Sequence, residues 1–523
     1  MTPRRNTIIF LIFISLAAGV LGACSSESQA SLDGWPVTVT PADVLDVEEP
    51  TPLPSLGDAE TGEAATPVGI APALDPTLHY DIQAVLNWTN RTVTVVQAVT
   101  YVNDSGRVQD EMIFNVEVNR APGEFLLWQV KYADGRLIEN AVLDGTRLAI
   151  PINDPLPVGE TVRLVLEFDL VLPQVIEGYS NDDRLGYWGY TGRQVNLGMW
   201  LPLLAAFEPE RRWITPEFHW VGEHFLLRTA DFTVDLQIED PPENVSVAGP
   251  GRVSRPDSQT WRFEIDNARE VAFSVSDQFF TLQDTTSTGV EVELFHLNNS
   301  NLDAPRHALQ TAVDAFTLFE DLYGPCPYDR LVVVQGDFPD GMEFSGLVFV
   351  SDRWFTTWEG GSRNFLTFIT AHEVSHQWWY AMVGNDQGVN PYLDEALAIY
   401  SEVLFYERYY PDDLEWWWQS RVYYYDPLGE VDTPVYDFYG PREYINAIYL
   451  RGALMMEALR RDLGDEVFFA WLRTYATRMQ GRVASPQSFW NVLSADQYAA
   501  TAATREIYLG RSDVLPFQSD ELP

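Results

Sequence analysis

"TAHEVSHQWWYAMVGNDQGVNPYLDEALAIYSE" occupies residues 370–402. It carries two of the chain's 7 histidines, four residues apart, with a glutamate just after the first. On a helix, His372 and His376 stand one turn apart on one face, so both imidazoles reach a common point. Phe365, Phe368, Ile369 and Trp379 fall on that face, so the spacing predicts one helix with an apolar seam. Glu373 is offset by about 100° and can lie beside a metal without binding it. There a carboxylate can take a proton from water. Alone, the pair fits a hydrogen-bonded core helix as well as a metal site.

A third ligand separates the two readings. "NPYLDEALAIYSE" reads as a second helix, with Asn390 as cap and Pro391 in the first turn. Glu395 falls in that turn. Two histidines and one glutamate leave a fourth position open on one Zn²⁺, the pattern of a catalytic rather than a structural site. Glu402 lies seven residues further on the same face, either orienting a histidine or solvated as an ordinary helix acid.

The rest of the chain sets the frame. It has 523 residues, 46% hydrophobic and 13% aromatic, a globular composition. Asp and Glu number 76 against 33 Lys and Arg, a net charge of −43 that argues against nucleic acid as a partner. The start, "MTPRRNTIIFLIFISLAAGVLGAC", has the layout of an export signal over residues 1–23. Residues 24–76 are rich in Pro, Ser, Thr and acids and read as a tether without a core. Residues 77–283 carry β-branched and aromatic runs such as "TVRLVLEFDLVL", expected to form a β-sandwich-like domain. Residues 284–523 read as mainly helical with a small sheet, which includes "DRLVVVQGDF".

HEVSH, 18 intervening residues and Glu395 resemble the aminopeptidase N-like zinc peptidases, peptidase family M1. That resemblance implies a thermolysin-like (gluzincin) catalytic domain, a zinc aminopeptidase activity and peptide substrates with a free N-terminus. The metzincin pattern fails, because Met382 stands where its third histidine belongs. "DGMEFSGLVFV" resembles the family's exopeptidase loop, shortened to Gly341, Met342 and Glu343, with Phe344 in place of Asn. By that likeness Glu343 receives the substrate's α-ammonium. "EYINAIYLRGALMMEAL" resembles the family's tyrosine helix and implies Tyr449 as the oxyanion donor, with Tyr444 as its rival. "LGAC" resembles a bacterial lipoprotein signal, implying a lipid on Cys24 and attachment to the cell-envelope membrane.

The chain departs from the family in two ways. The usual Arg-Pro-Cys segment is missing, so no second amine-anchoring residue is transferred. The large C-terminal helical domain is also expected to be absent. Two other functions stay open: a zinc endopeptidase, should Phe344 distort the amine site, and a tethered binding lipoprotein with an inactive site. No oligomeric state is assigned.

Overall fold

The computed structural model describes residues 77–175, 186–208, 212–297, 300–337 and 339–511. The expected export signal, Cys24 and the tether lie outside them. Among the described residues no helix is long and apolar enough to cross a membrane.

Alternation governs the β-rich part. In Leu78–Asn87 the residues Leu78, Tyr80, Ile82, Ala84 and Leu86 are buried while their neighbours are at least partly exposed. This strand sits at the centre of a seven-stranded sheet, paired parallel with Ala230–Glu239 and antiparallel with Thr92–Val102. A four-stranded sheet built around Gln109–Asn115 and Arg147–Leu156 adds Met112, Phe114 and Ile150 to the same core. The result is the expected sandwich-like architecture.

The C-terminal part starts with a five-stranded sheet. Its order is Phe280–Thr285, Glu291–His296, Arg330–Gly336, Leu347–Ser351 and Gly341–Met342. The middle three strands are parallel and the edges antiparallel. Arg330–Gly336 is buried throughout, as its unbroken apolar run suggests. The boundary expected between residues 283 and 284 falls inside Phe280–Thr285, which pairs with Glu291–His296 and so belongs to this sheet. The edge strand Gly341–Met342 is the start of the loop resembling an exopeptidase motif, so that loop hangs on the sheet.

Helices cover the sheet. Asp303–Tyr323 ends at Gly324 and packs against Phe365–Ser375, the histidine helix. Asn364 caps the histidine helix by accepting from the Thr367 N–H at 3.0 Å. The apolar seam predicted for it is not what forms. Leu366 through Ser375 are all buried, so the helix is enclosed on every side, whereas Phe365 is 42% exposed. The helix also stops early: the chain leaves helical geometry at Trp379 and Tyr380 in a wide π-type turn.

Glu395–Tyr409, the glutamate helix, lies against Arg451–Leu463 at a close crossing. A Cβ on Gly452 would stand 2.6 Å from the Ala396 Cβ, next to Glu395. Glycine there lets the two helices touch. Gly452→Val is therefore expected to cost about 1–3 kcal/mol through overpacking. Chemical denaturation should show the lowered midpoint, and metal titration should show weakened binding as Glu395 is displaced.

Candidate metal centre and active site

The two histidines and Glu395 converge. The Nε2 atoms of His372 and His376 are 3.2 Å apart, and Glu395 Oε2 lies 3.2 Å from the first and 3.6 Å from the second. A tetrahedral ion with bonds of about 2.0–2.1 Å holds its ligand atoms about 3.3–3.4 Å apart. The triangle thus has the size of a zinc site, and all three residues are buried.

Each imidazole is turned by its other nitrogen. His372 Nδ1 donates to Glu402 Oε1 at 2.9 Å, and His376 Nδ1 donates to the Trp379 carbonyl at 2.9 Å. Both Nε2 lone pairs then face inward. The second contact explains the broken helix. In a continued helix the Trp379 carbonyl would point along the axis; the turn frees it to hold His376.

Glu395 is the first residue of its helix, which starts four residues later than the expected Pro391. Pro391–Leu393 forms a separate 3₁₀ turn, and the Asn390 side chain caps nothing. Asp394 is the cap instead, its Oδ1 accepting from the Glu395 N–H at 2.9 Å. Glu402 is fully buried rather than solvated. Besides His372 it accepts from Trp417 Nε1 at 3.0 Å and from two nitrogens of Arg421 at 3.2 and 3.3 Å.

Glu373 and the Gly341–Phe344 loop meet on the other side of His376. One oxygen each of Glu343 and Glu373 and a His376 ring nitrogen lie within 4.8 Å of one another. A Cβ on Gly341 would fall 1.9 Å from Glu373 Oε1, so only glycine lets the edge strand pass the carboxylate. Glu373 Oε2 has no hydrogen-bond partner among the described residues. Gln387 Nε2 donates to Glu343 Oε1 at 3.2 Å. Met342 is buried and pairs with Phe349. Phe344 is fully buried, edge-on to Tyr187 at 5.6 Å and Phe349 at 6.0 Å. It is a packing residue behind the loop.

Tyr449 lies flat against His372, with ring centroids 5.8 Å apart and planes 14° from parallel. It belongs to a π-type turn, Ile445–Leu450. Tyr444 is edge-on to Tyr449 and Phe438, and it fills the space over Gly222. Of the two, Tyr449 is the one whose ring stacks on a ligand-triangle histidine.

The model for the peptidase family M1 domain matches residues 307–508. Residues 307–508 are a peptidase family M1 domain. Endoplasmic reticulum aminopeptidase 2 of Homo sapiens is 26% identical over 244 residues, 43% of this chain and 25% of that protein. Aminopeptidase N of Lactococcus lactis is 25% identical over 266 residues, 46% of this chain and 30% of that protein. The matched stretches thus take in less than a third of these relatives' own lengths. The M1 zinc metallopeptidase of Deinococcus radiodurans superposes with a TM-score of 0.60 at 16% identity, over 82% of this chain and 94% of that one. Its complex with a Tyr-Ser-Ala substrate gives 0.60 at 17%, over 84% and 95%. At that identity the likeness establishes the two-domain fold.

One acidic residue near the M1 domain's site escaped the sequence reading. Glu223 follows Gly222, whose φ of 69° turns the chain at the Tyr444 contact. Its carboxyl is pushed well above the usual range by burial, then by the charges of Glu343, Glu395 and Asp394. Its Oε2 has no hydrogen-bond partner among the described residues. "WVGEHF" contains no signal that would have marked it.

Electrostatics divides the M1 carboxylates into two sets. Burial opposes the charge on Glu395, but hydrogen bonds from both histidines outweigh it and hold the carboxyl well below its usual range. Burial also opposes a charged His372, yet Glu395 and Glu402 raise it to about 9. Glu373 and Glu343 go the other way, raised chiefly by burial. The consequence for metal binding has a definite sign. At neutral pH the metal-free His372 holds a proton that an ion must displace. Affinity should therefore rise with pH, and fall about tenfold per unit below pH 9 for each proton released. Titration calorimetry in buffers of different ionisation enthalpy will count those protons. Glu402→Gln removes the charge behind His372 and should weaken Zn²⁺ binding about 10–100-fold, measured by competition with a chelator.

Proposed function

We propose that this chain is a zinc-dependent aminopeptidase that removes N-terminal residues from peptides outside the cytoplasm. The observation that carries the reading is Glu343: a buried carboxylate beside Glu373 and His376, on a strand edge that only glycine lets approach. A carboxylate at a fixed distance from the hydrolytic centre admits peptides whose free N-terminus lies one residue from the scissile bond.

His372, His376 and Glu395 would hold Zn²⁺. When bound, the ion supplies Lewis acidity, polarising the scissile carbonyl and acidifying water. The remaining steps belong to the chain. Glu343 binds the α-ammonium, and Glu223 adds negative charge on that side. The incoming cation favours the ionised form of both acids, offsetting their burial. Glu373 accepts the water's proton and delivers it to the leaving amine. Its raised pKa suits that exchange, since it holds a proton more readily than an exposed glutamate. Tyr449 donates to the oxyanion. Its phenol is kept neutral by burial and then by the Glu395 charge, so the proton is retained for donation.

The extracytoplasmic site of action rests on the charged, apolar and small-residue order of residues 1–23. A lipid on Cys24, anchoring the chain to the envelope membrane, rests on "LGAC". The endopeptidase alternative loses support from the packing of Phe344, which fills the space behind the loop and leaves the Glu343 carboxylate beside His376. The full set of Glu373, Tyr449 and three ligands argues for turnover over a binding role.

Kinetics test this directly. Tyr449→Phe should keep substrate binding within a few-fold and lose about 10²–10³ in kcat; near-normal turnover would assign Tyr449 to packing. Glu373→Ala should bind Zn²⁺ stoichiometrically and hydrolyse nothing measurable. Peptides with a free N-terminus should be cleaved and their N-acetylated forms spared. Equal cleavage of the two would remove Glu343 from its assigned role.

A further inference from the structure

The β-rich domain reaches the amine site through two buried charged residues that no step above uses. Arg269 and Glu270 lie between the strands Thr260–Ala268 and Phe273–Ser276, 2% and 1% exposed. Arg269 acts as a clamp on backbone. Its guanidinium donates to the carbonyls of Tyr380 (2.5 Å), Leu227 (2.8 Å), Arg482 (2.8 Å) and Met382 (3.2 Å). Gly384 passes so close that a Cβ there would lie 2.3 Å from the guanidinium carbon. The clamp ties the β-rich domain to the turn that follows the histidine helix.

Glu270 reaches the other way. Its Oε1 accepts from the Ser345 backbone N–H at 2.7 Å, and its Oε2 accepts from the Tyr380 hydroxyl at 2.6 Å. Ser345 is two residues beyond Glu343. The Arg269 N–H returns the contact by donating to Ser345 Oγ at 3.0 Å. The next residue and the one before are held from the M1 domain. Gln377, next to His376, accepts from the Gly346 N–H at 2.8 Å and donates to the Phe344 carbonyl at 3.2 Å. The segment carrying Glu343 is thus fastened on one side to the turn after the histidine helix and on the other to the β-rich domain.

We propose that Glu270 is a positioning residue that sets the distance between the Glu343 carboxylate and the metal centre, so that the β-rich domain fixes the exopeptidase register. The inference rests on the reading of Glu343 as the amine site. Hydrogen bonds to a buried carboxylate are strong and directional, and the one from Ser345 holds backbone rather than a mobile side chain. A misplacement of about 1 Å at a binding group can cost about 10²-fold in rate. Loss of this tether should therefore appear in amine recognition more than in the chemistry at the metal.

The test uses the full chain loaded with Zn²⁺. Glu270→Leu keeps similar bulk and removes both acceptors. It should raise KM for a free-amine peptide about tenfold, change kcat little, and reduce the preference for free over N-acetylated peptide about tenfold. Zinc content per folded chain should stay at one. Glu270→Asp, one methylene shorter, should shift the same way by a smaller factor, and serves if the Leu variant does not fold. Glu270→Gln should behave within a few-fold of the parent. Its amide oxygen still accepts from Ser345, while its amide nitrogen donates to a turned Tyr380 hydroxyl. Tyr380→Phe leaves the Ser345 contact in place and should keep the preference for a free amine.

Three results would overturn the proposal. One is an unchanged preference in Glu270→Leu or Glu270→Asp, with activity lost only in proportion to folded protein. Another is Glu270→Gln losing the preference as fully as Glu270→Leu. The third is Tyr380→Phe doing so, which would place the effect at the helix exit. Glu343→Gln, measured in parallel, separates the two levels. If it leaves the preference intact, the amine-site reading itself fails. If it abolishes the preference while Glu270→Leu does not, only the role of Glu270 falls.

Discussion

Two carboxylates seven residues apart on one helix grip a single imidazole from opposite ends. Glu395 stands 3.2 Å from His372 Nε2, and Glu402 stands 2.9 Å from Nδ1. Because the carboxylates share a helix, the grip fixes the histidine helix against the glutamate helix in both rotation and height. The rest of the centre follows from that. His376 is one turn along, Glu373 beside it, and Tyr449 comes up on the face of the same imidazole. A centre whose parts lie on rigid neighbouring elements needs little reorganisation when a substrate arrives.

The grip is costly to bury. Glu402 is fully enclosed, and an ionised carboxylate in such surroundings is unfavourable unless it is paired. The chain answers with three donors: His372, the Trp417 indole and the Arg421 guanidinium. Arg421 in turn lies over the Phe368 ring at 4.8 Å, one turn before His372. The charge behind the histidine is therefore stabilised by residues that also pack the helix it orients. At Glu373 and Glu343 burial outweighs the pull of the two histidines, and at Glu223 burial and the neighbouring carboxylates act together. That contrast suits their roles. A ligand's orienting acid must stay ionised, whereas an acid that exchanges protons or receives a cation gains from being destabilised when empty.

What could be read from the chain alone was what local periodicity controls. His372 and His376 share a face because they are four apart, and Glu395 and Glu402 because they are seven apart. Tyr449 and Glu343 were legible only through resemblance, since a lone tyrosine or "GME" has no periodic signal. The misreadings have a common cause. Asn390 looked like the cap because Pro391 followed it, but the 3₁₀ turn uses those residues up and Asp394 takes over. The single seam predicted through Trp379 assumed a continuous helix, whereas the Trp379 carbonyl is needed at His376. Periodicity cannot report a break that serves another residue's side chain. Glu223, Arg269 and Glu270 were invisible for a different reason. Each belongs to the β-rich part and acquires meaning only from what the fold brings against it.

That last group bears on why the β-rich domain accompanies the catalytic one at all. The proposed ligands, Glu373 and Tyr449 all lie within residues 307–508, so the residues assigned to hydrolysis fall there. Recognition of an end rather than a middle of a peptide asks for more. It needs a barrier and a charge held at a set distance from the metal, on a segment that is itself only a two-residue edge strand and a turn. An edge strand this short makes few hydrogen bonds of its own and cannot hold such a distance alone. Gln377 braces it from the turn that follows the histidine helix, and Ser345 is braced from the β-rich domain. Phe344, buried against Tyr187, anchors the turn in the apolar core of that same domain. Phe344 thus packs away from the Glu343 carboxylate and does not disturb the proposed amine site. Burial pins the turn, and under the proposed role of Glu343 the register of cleavage would be set at the interface between the two domains.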